Sequence, residues 1–276
     1  MPTSSADATS SQPAFLQVRD LTAGYGRDPV ISGITMSADR GEIACVVGPN
    51  GSGKSTFLKA LLGEIRVMRG SVTLDGREVA NLPAHTLARL GLGYVPQVHD
   101  VFDTLSVGEN LRIGAYLLTG REAGERIATV VERFPTLKPL LRRSAHKLSG
   151  GERKLVAIGR VMMLQPAVYI LDEPTSGLSP QLTDQLLQEH VAALAKSGAA
   201  ILLVEQKAKA ALEISDRGYL LVAGRMRMSA AASEMLADAS VAEMFLGQGP
   251  DESQGPDEGQ GPDEAGTPQR AEIGGQ

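Results

Sequence analysis

Short, unbroken runs of apolar residues recur along the chain and alternate with longer stretches of helical periodicity. Three of these runs are residues 43–47, 168–171 and 199–204. A continuous apolar run of this length, bounded by turn residues, is typical of a parallel strand that is buried on both faces. Because such strands alternate here with helical stretches, the pattern predicts an α/β sheet with helices packed on both of its faces.

Two parts of the chain depart from this alternation. Residues 15–19 and the segment around an Asp75-Gly76 turn have the character of antiparallel strands joined by a tight turn. Residues 106–164 contain three helical stretches and no strong strand. We therefore expect an antiparallel β subdomain, and a helical subdomain within about residues 100–164 that is inserted between two strands of the main sheet.

The two ends of the chain differ in composition from the part between them. Residues 1–13 are rich in Ser, Thr, Ala and Pro, and residues 248–276 contain three copies of a six-residue repeat that begins Gln-Gly-Pro-Asp-Glu. A six-residue repeat can form a β-helix, but it then needs an apolar residue in each turn, and these copies have none. We therefore predict a disordered N-terminal tail, a folded domain over residues 14–247 and a disordered acidic C-terminal tail.

Charge and cysteine content exclude several classes of protein. The chain has a net charge of −5, of which residues 248–276 carry −6 and residues 1–13 carry −1, so the remaining 234 residues carry +2. A domain this close to neutral gives no reason to expect nucleic-acid binding. The single cysteine excludes an internal disulfide framework and a cysteine-rich zinc site, and it fits a reduced cytoplasmic setting.

No apolar run approaches the roughly 18 residues that a membrane helix needs, and the first residues lack the basic and apolar regions of a secretory signal. We therefore expect neither a membrane span nor a signal peptide.

A glycine-rich motif at residues 48–56 follows a predicted strand and precedes a predicted helix. It fits the pattern G-x-x-x-x-G-K-[ST], in which inward-facing backbone N–H groups and a helix N-terminus create a concave site for phosphates. Lys54 would reach the terminal phosphates, and Ser55 would place its hydroxyl on Mg²⁺. A glycine-rich turn that only caps a helix is the alternative, but the strand–loop–helix context favours nucleotide binding. The predicted nucleotide-binding residues are Gly48, Pro49, Asn50, Gly51, Ser52, Gly53, Lys54, Ser55 and Thr56.

Two carboxylates, Asp172 and Glu173, follow the apolar run at residues 168–171. Strands of such a sheet end at the ligand crevice. Asp172 can hold Mg²⁺ through its water there, and Glu173 can take a proton from the water that attacks the γ-phosphate. An acidic helix cap or a solvated loop end is the alternative, and the phosphate loop in the same chain favours the catalytic interpretation.

A Leu-Ser-Gly-Gly-Glu segment at residues 148–152 opens an amphipathic helix. Ser-Gly-Gly before a helix is by itself only a good N-terminal cap. Its position makes it specific, because Ser149 lies 95 residues after Lys54 and 23 residues before Asp172.

Together with a glutamine loop at residues 94–97, these motifs resemble those of the ATP-binding cassette (ABC) ATPases. The resemblance covers the whole predicted domain, and four motifs in the same order are very specific. It implies a P-loop NTPase fold and hydrolysis of ATP with Mg²⁺. It also implies a second cassette paired head to tail with this one, so that each ATP lies between the phosphate loop of one subunit and the Leu-Ser-Gly-Gly-Glu helix of the other.

The resemblance also implies roles for single residues. Tyr25 would stack on the adenine, with an ordinary hairpin tyrosine as the alternative. Gln97 would approach Mg²⁺ and sense the membrane partner. Ser149 and Gly151, with Gly150 between them, would hold the γ-phosphate of the opposite site.

Several segments, among them residues 94–117 and 203–221, are similar to one branch of this family. That branch contains the ATP-binding subunits of branched-chain amino acid importers whose partner is a second, different cassette. Urea and short-chain amide importers use near-identical cassettes and are the alternative. Two departures from the general cassette pattern support this branch: the loop after Glu173 lacks its usual aspartate, and the last strand ends in Glu205-Gln206 where most cassettes place a histidine.

The resemblance implies that Gln206 contacts the γ-phosphate. A glutamine amide can donate a hydrogen bond, but unlike histidine it cannot take up a proton near neutral pH. We therefore expect a site that binds ATP well and turns it over slowly, and a working unit that pairs two different cassettes.

The leading hypothesis is the motor subunit of an importer, held on the inner face of the plasma membrane by separate permease subunits and served through them by a solute-binding protein. An exporter cassette and a soluble cassette that acts on DNA or ribosomes are weaker alternatives. The soluble class usually carries two cassettes or a long coiled-coil insertion, whereas only 52 residues separate Gln97 from Ser149. Other phosphate-loop enzymes, such as GTPases and small-molecule kinases, have no place for the Leu-Ser-Gly-Gly-Glu segment.

Overall fold

The structure is a computed structural model that describes residues 15–246, so the two predicted tails lie outside the described residues. The strands are β1 (Leu16–Tyr25), β2 (Asp28–Ala38), β3 (Ile43–Val47), β4 (Val67–Leu74), β5 (Arg77–Glu78), β6 (Leu92–Val95), β7 (Val168–Asp172), β8 (Ala200–Glu205), β9 (Arg217–Val222) and β10 (Arg225–Ala231). The α-helices are α1 (Lys54–Leu61), α2 (Ala84–Arg89), α3 (Val107–Gly114), α4 (Gly120–Arg133), α5 (Gly150–Met162), α6 (Pro180–Asp184), α7 (Ala192–Lys196), α8 (Ala208–Glu213), α9 (Ala232–Ala237) and α10 (Ala239–Leu246). Two short 3₁₀ helices span Pro135–Leu140 and Ala145–Lys147.

The predicted apolar runs form the centre of a six-stranded sheet in the order β10-β9-β3-β8-β7-β6. The pairs β9–β3, β3–β8, β8–β7 and β7–β6 are parallel, and β10 is an antiparallel edge strand. Every residue of β3 is buried, as are all but the last of β7. The strands therefore have the two-sided burial that an unbroken apolar run predicts.

Alternate residues of β3 pack into two separate cores, because successive side chains of a strand point to opposite faces. Ala44 and Val46 pack with α1 and with the second sheet, which has the order β2-β1-β4-β5. Cys45 and Val47 pack with α5, α8 and the helices inserted between β6 and β7. The predicted α/β sheet, antiparallel β subdomain and inserted helical subdomain are all confirmed.

The inserted subdomain depends on close helix contacts between α3, α4 and α5. A Cβ atom on Gly114 of α3 would collide with the backbone carbonyl of Arg160 on α5, and one on Gly159 would lie 2.8 Å from Val130 on α4. These two glycines let the backbones approach closely, so α5 is held against both of its neighbours. Within residues 15–246, no helix is both long and apolar enough to cross a bilayer.

The helical stretch between β7 and β8 contains a feature that its apolar pattern does not reveal. Between α6 and α7, residues Gln185–Val191 form a π-helical segment. A π turn hydrogen-bonds residues five apart. Leu186 and Val191, which are five residues apart, are both buried in the core that contains Cys45 and Val47 of β3.

Asn110, at 0% exposure, shapes the loop that leads from the glutamine loop to α3. Its Oδ1 accepts from the N–H of Phe102 at 2.7 Å, and its Nδ2 donates to the carbonyls of Phe102 and Ser106, both at 3.0 Å. One side chain thus ties this loop to α3 and supplies the partner of the Phe102 N–H, while the two carbonyls also accept from the backbone N–H groups of Leu105 and Asn110.

We predict that Asn110→Ala lowers the free energy of unfolding by about 2–4 kcal/mol, because it removes the hydrogen bonds of a fully buried side chain and leaves the N–H of Phe102 without its partner. Urea denaturation would measure the change. Arg121→Ala is the control, since Arg121 forms an exposed ion pair with Glu125 and its loss should cost less than about 0.5 kcal/mol. Equal stability of the two variants would contradict this account of Asn110.

Candidate functional site

The candidate site lies at the carboxyl ends of β3, β7 and β8. In the parallel register, Val47 of β3 is opposite Glu205 of β8, and Asp172 of β7 is opposite Val204. The three strands therefore end at one edge of the sheet. The phosphate loop, the two carboxylates and Gln206 follow these ends, as the crevice of a parallel α/β sheet requires.

The loop from Gly48 to Gly53 is curled tightly and anchored to the β9–β10 turn. The N–H of Ser52 donates to the carbonyl of Pro49 at 3.2 Å, and the N–H of Gly224 donates to the carbonyl of Ser52 at 2.8 Å. A Cβ atom on Gly48 would collide with the carbonyl of Leu221, and Gly53 has a φ of 107° that side chains rarely adopt. Glycine is therefore required at both ends of this loop.

Lys54, the first residue of α1, folds its side chain back over the loop. Its ammonium group donates to the carbonyl of Gly48 at 2.7 Å and lies 3.4 Å from that of Pro49. The same nitrogen lies 3.5 Å from Oε1 of Glu173, with the side chains of Lys54 and Glu173 only 6% and 15% exposed. The Lys54 ammonium is thus held against the carbonyls at the start of the phosphate loop.

The residues around this loop fit a nucleotide polyphosphate. The hydroxyl of Ser52 is buried and has no hydrogen-bond partner within the described chain, so it is available to a ligand. Asn50 and Gly51 are exposed on this loop, and Ser55 is exposed in the first turn of α1. Backbone N–H groups, a buried lysine and a helix N-terminus together are the donors that phosphates require.

The residues also fit Mg²⁺ bound together with phosphate. Ser55 offers a hydroxyl oxygen, and Asp172 offers a half-buried carboxylate. Among residues 15–246, no three His, Cys, Asp or Glu side chains form a metal cluster by themselves. Mg²⁺ is usually held by one or two protein oxygens and by substrate phosphates, so this sparse donor set suits it.

Tyr94 orients Asp172 at the end of β7. The Tyr94 hydroxyl donates to Oδ2 of Asp172 at 3.1 Å. Burial raises the pKa of Asp172 and outweighs the hydrogen bond from Tyr94, which opposes the rise. Burial also raises the pKa of Tyr94, so this hydroxyl stays protonated as a donor.

Glu173 has both carboxylate oxygens engaged. Oε1 faces Lys54, and Oε2 accepts from the side-chain amide of Gln97 at 2.8 Å. Its backbone has a φ of 42°, in the left-handed region that costs a residue with a side chain on the order of 1 kcal/mol or more. The backbone N–H of Glu173 donates to the carbonyl of Val204 at 2.8 Å, and this bond holds the strained residue against β8.

Glu205 is 2% exposed at the end of β8 and fixes the segment that follows Glu173. Its carboxylate accepts from the N–H of Thr175 at 3.0 Å and from the N–H of Gln206 at 3.2 Å. Burial raises the pKa of Glu205, while the bond from Thr175 lowers it. Glu205 therefore connects the loop that follows Glu173 to Gln206, which stands where most cassettes have a histidine.

Tyr25 ends β1 and is 50% exposed, with the Lys59 ammonium 5.8 Å from the centre of its ring. Its face is therefore accessible for stacking on a base.

Ser149, Gly150 and Gly151 lie apart from the phosphate loop. Ser149 caps α5 in a reciprocal pair with Glu152, and Cβ atoms built on Gly150 and Gly151 would contact the side chains of Leu178 and Leu182. Within residues 15–246, no hydrogen bond or ion pair joins these three residues to residues 48–56. The structure thus brings together the predicted residues Lys54, Gln97, Asp172 and Glu173. It places Ser149 and Gly150, both exposed, and the half-buried Gly151 apart from them.

Sequence reasoning gave no role to four residues that contact the site: Tyr94, Asp100, Lys154 and Glu205. One signal was present for Lys154, since it lies four residues before Ile158, on the same face of helix α5. The other three carry no pattern of their own, because only the folded chain shows what they touch.

The comparisons with known proteins agree with this geometry. Residues 31–176 match the family model described as ABC transporter. The chain is 39% identical to the probable branched-chain amino acid transport ATP-binding protein LivF of Archaeoglobus fulgidus, over 84% of this chain and 99% of that protein. It is 35% identical to the high-affinity branched-chain amino acid transport ATP-binding protein BraG of Pseudomonas aeruginosa, over 84% of this chain and 100% of that protein.

A lower identity of 32% links the chain to the lipopolysaccharide export system ATP-binding protein LptB of Acidithiobacillus ferridurans, over 84% of this chain and 97% of that protein. Among solved structures, an ATP-binding cassette of an ABC transporter in its ADP conformation is similar with a TM-score of 0.77 and 26% identity. The match covers 85% of this chain and 99% of that chain.

Proposed function

This chain belongs to the ABC transporter family as an ATP-hydrolysing subunit, and from that premise we propose that it powers the import of branched-chain amino acids. The observation that carries the proposal is the near-complete match to two cassettes named for branched-chain amino acid transport, at 39% and 35% identity. The match to an export cassette at 32% supports export as the second candidate, because cassettes of both directions share the same site.

In the proposed mechanism, the loop from Gly48 to Thr56 binds the triphosphate of ATP and Tyr25 stacks on the adenine. Lys54 turns its ammonium group from the carbonyls of Gly48 and Pro49 to the terminal phosphates. Ser55, Gln97 and Asp172 would hold Mg²⁺, which when bound neutralises phosphate charge. Glu173 accepts a proton from the attacking water, since each of its oxygens has one partner and can accept a second hydrogen bond.

We further propose that a second ATPase subunit completes the site. Ser149 is exposed and Gly151 is half-buried at the start of α5. A helix N-terminus with free N–H groups is a good anion site, so this surface suits the γ-phosphate of the opposite subunit. Gln206 would contact the γ-phosphate in its own subunit.

The permease subunits would dock on the helical subdomain close to Gln97. Exposed apolar side chains cluster in the sequence just after this residue and at the end of α3. They are Val98, Phe102, Ile113, Tyr116 and Leu117. Apolar side chains that stay exposed on a monomer are typical of an interaction surface. Docking there would place a membrane subunit next to the glutamine that contacts Glu173.

We predict that Glu173→Gln lowers ATP hydrolysis roughly 10²- to 10⁴-fold, because the amide keeps the shape of the carboxylate but cannot accept the proton. ATP binding should persist, and ATP-bound subunit pairs should accumulate. Lys54→Ala is the contrasting variant, which should weaken ATP binding itself. Turnover by phosphate release and affinity by a fluorescent ATP analogue would separate the two effects. Wild-type turnover in Glu173→Gln would contradict the assignment of the base.

We predict that Gln206→His raises the turnover of the isolated subunit at saturating ATP. Imidazole can carry a proton near neutral pH and titrates near pH 6.5, whereas the amide does neither, so the gain should vary with pH around that value. Gln206→Met is the matched control, since it keeps the length of the side chain without its hydrogen bonds and should not raise turnover.

Fast hydrolysis by the isolated wild-type chain, or no gain in Gln206→His, would be evidence against a slow site built on Gln206.

The transported solute is tested by reconstitution in vesicles with the permease subunits, the second cassette and the binding protein, with ATP supplied on the side of the cassettes. We predict that leucine, isoleucine and valine stimulate hydrolysis and accumulate on the cassette side. The same assembly with Glu173→Gln gives the background. Stimulation by urea or a short-chain amide alone would assign the alternative importer class, and movement of solute away from the cassette side would assign export.

A further inference from the structure

A buried lysine of helix α5 contacts the glutamine loop. Lys154 is 7% exposed and Asp100 is 5% exposed. The ammonium of Lys154 lies 2.8 Å from Oδ2 of Asp100 and donates to the backbone carbonyl of Gln97 at 3.0 Å. Lys154 therefore fixes the piece of backbone from which the Gln97 side chain extends.

The Gln97 side chain continues the path to the catalytic candidate. Its amide nitrogen donates to Oε2 of Glu173 at 2.8 Å, and Oε1 of Glu173 faces Lys54 at 3.5 Å. Consecutive polar contacts thus run from α5 through the glutamine loop to the phosphate loop. Direct contacts of this kind can carry energetic coupling, and a measured coupling energy is the evidence that they do.

Stability alone gives a weak reason for this lysine. Taking an ammonium out of water is costly, and a buried ion pair often does no better than apolar residues of the same volume. A methionine at this position of an apolar helix face would fill similar space without that cost. The specific property that an apolar residue lacks is the hydrogen bond to the Gln97 carbonyl.

We propose that Lys154 is a positioning residue: it holds the glutamine loop so that the Gln97 amide orients the carboxylate of Glu173. The same helix begins at Ser149, the residue proposed to meet the ATP of the opposite subunit. Lys154 would thus link the surface that binds the second ATP to the base of its own site. The inference rests on the proposed role of Glu173 and adds to it a residue that never touches ATP.

The test removes the donor without leaving an unpaired charge. In the double variant Lys154→Met/Asp100→Asn, we expect kcat for ATP hydrolysis to fall roughly 10-fold, because a misplaced base is a costly error in geometry. KM for ATP and the affinity for a fluorescent ATP analogue should stay within about twofold, since the loop that binds ATP is intact.

One matched variant isolates the hydrogen bond. Lys154→Arg keeps a charged donor beside Asp100 and the Gln97 carbonyl, so it should retain most of the wild-type kcat. Thermal melting verifies that each variant is folded. If the double variant does not fold, Lys154→Gln serves instead, because its side chain is one bond shorter and loses the contact while remaining polar.

A double-mutant cycle with Gln97 distinguishes positioning from a structural role. In a Gln97→Ala background, the loss caused by Lys154→Met/Asp100→Asn should vanish, because no amide remains to be positioned. The proposal would be overturned if the fold-losses in kcat caused by Gln97→Ala and by Lys154→Met/Asp100→Asn multiplied when the substitutions are combined. It would also be overturned if kcat were unchanged or raised in Lys154→Met/Asp100→Asn.

Failure of this inference is distinguishable from failure of the proposed function. If Glu173→Gln abolishes turnover while the Lys154 series has no effect, Glu173 remains the base and Lys154 does not position it. If Glu173→Gln keeps wild-type turnover, the base itself is misassigned.

Discussion

The parallel register of β3, β7 and β8 is the constraint on which the site depends. The three strands are neighbours, run in the same direction and end level with one another, so every residue that follows them arrives at one edge of the sheet. Two cores, one on each face, hold this register, and a slip along either strand pair would separate the phosphate loop from the carboxylates. Packing far from ATP therefore sets the geometry of the chemistry.

Opposite charges are concentrated where these strands end. Lys54 and Glu173 are both largely buried, and each partly compensates the desolvation of the other. The Gln97 amide donates to the other oxygen of Glu173, so residues of α1 and of the glutamine loop both hold this carboxylate. These contacts orient the carboxylate of the proposed base, and any movement of the glutamine loop must alter its hydrogen bond to Glu173.

The helical subdomain carries the two surfaces that are proposed to meet other subunits. It carries the exposed apolar side chains after Gln97 and the exposed start of α5, and it is joined to the catalytic region through Lys154. In the proposed mechanism a second cassette completes the ATP site, because Ser149 and the phosphate loop of one chain are joined by no hydrogen bond or ion pair within residues 15–246.

The sequence by itself determined the fold class, the membership in the ABC family and the identity of the motifs. Unbroken apolar runs specify buried parallel strands, and a phosphate loop must be encoded locally, since its glycines and its lysine are consecutive. Only the tertiary structure decided which other side chains contact the residues of the site. Lys154, Asp100, Tyr94 and Glu205 act through contacts between segments distant in the sequence, and their types alone fit a helix face or a loop equally well. The π-helical segment is likewise visible only in the structure, because its apolar residues suit a regular helix equally well.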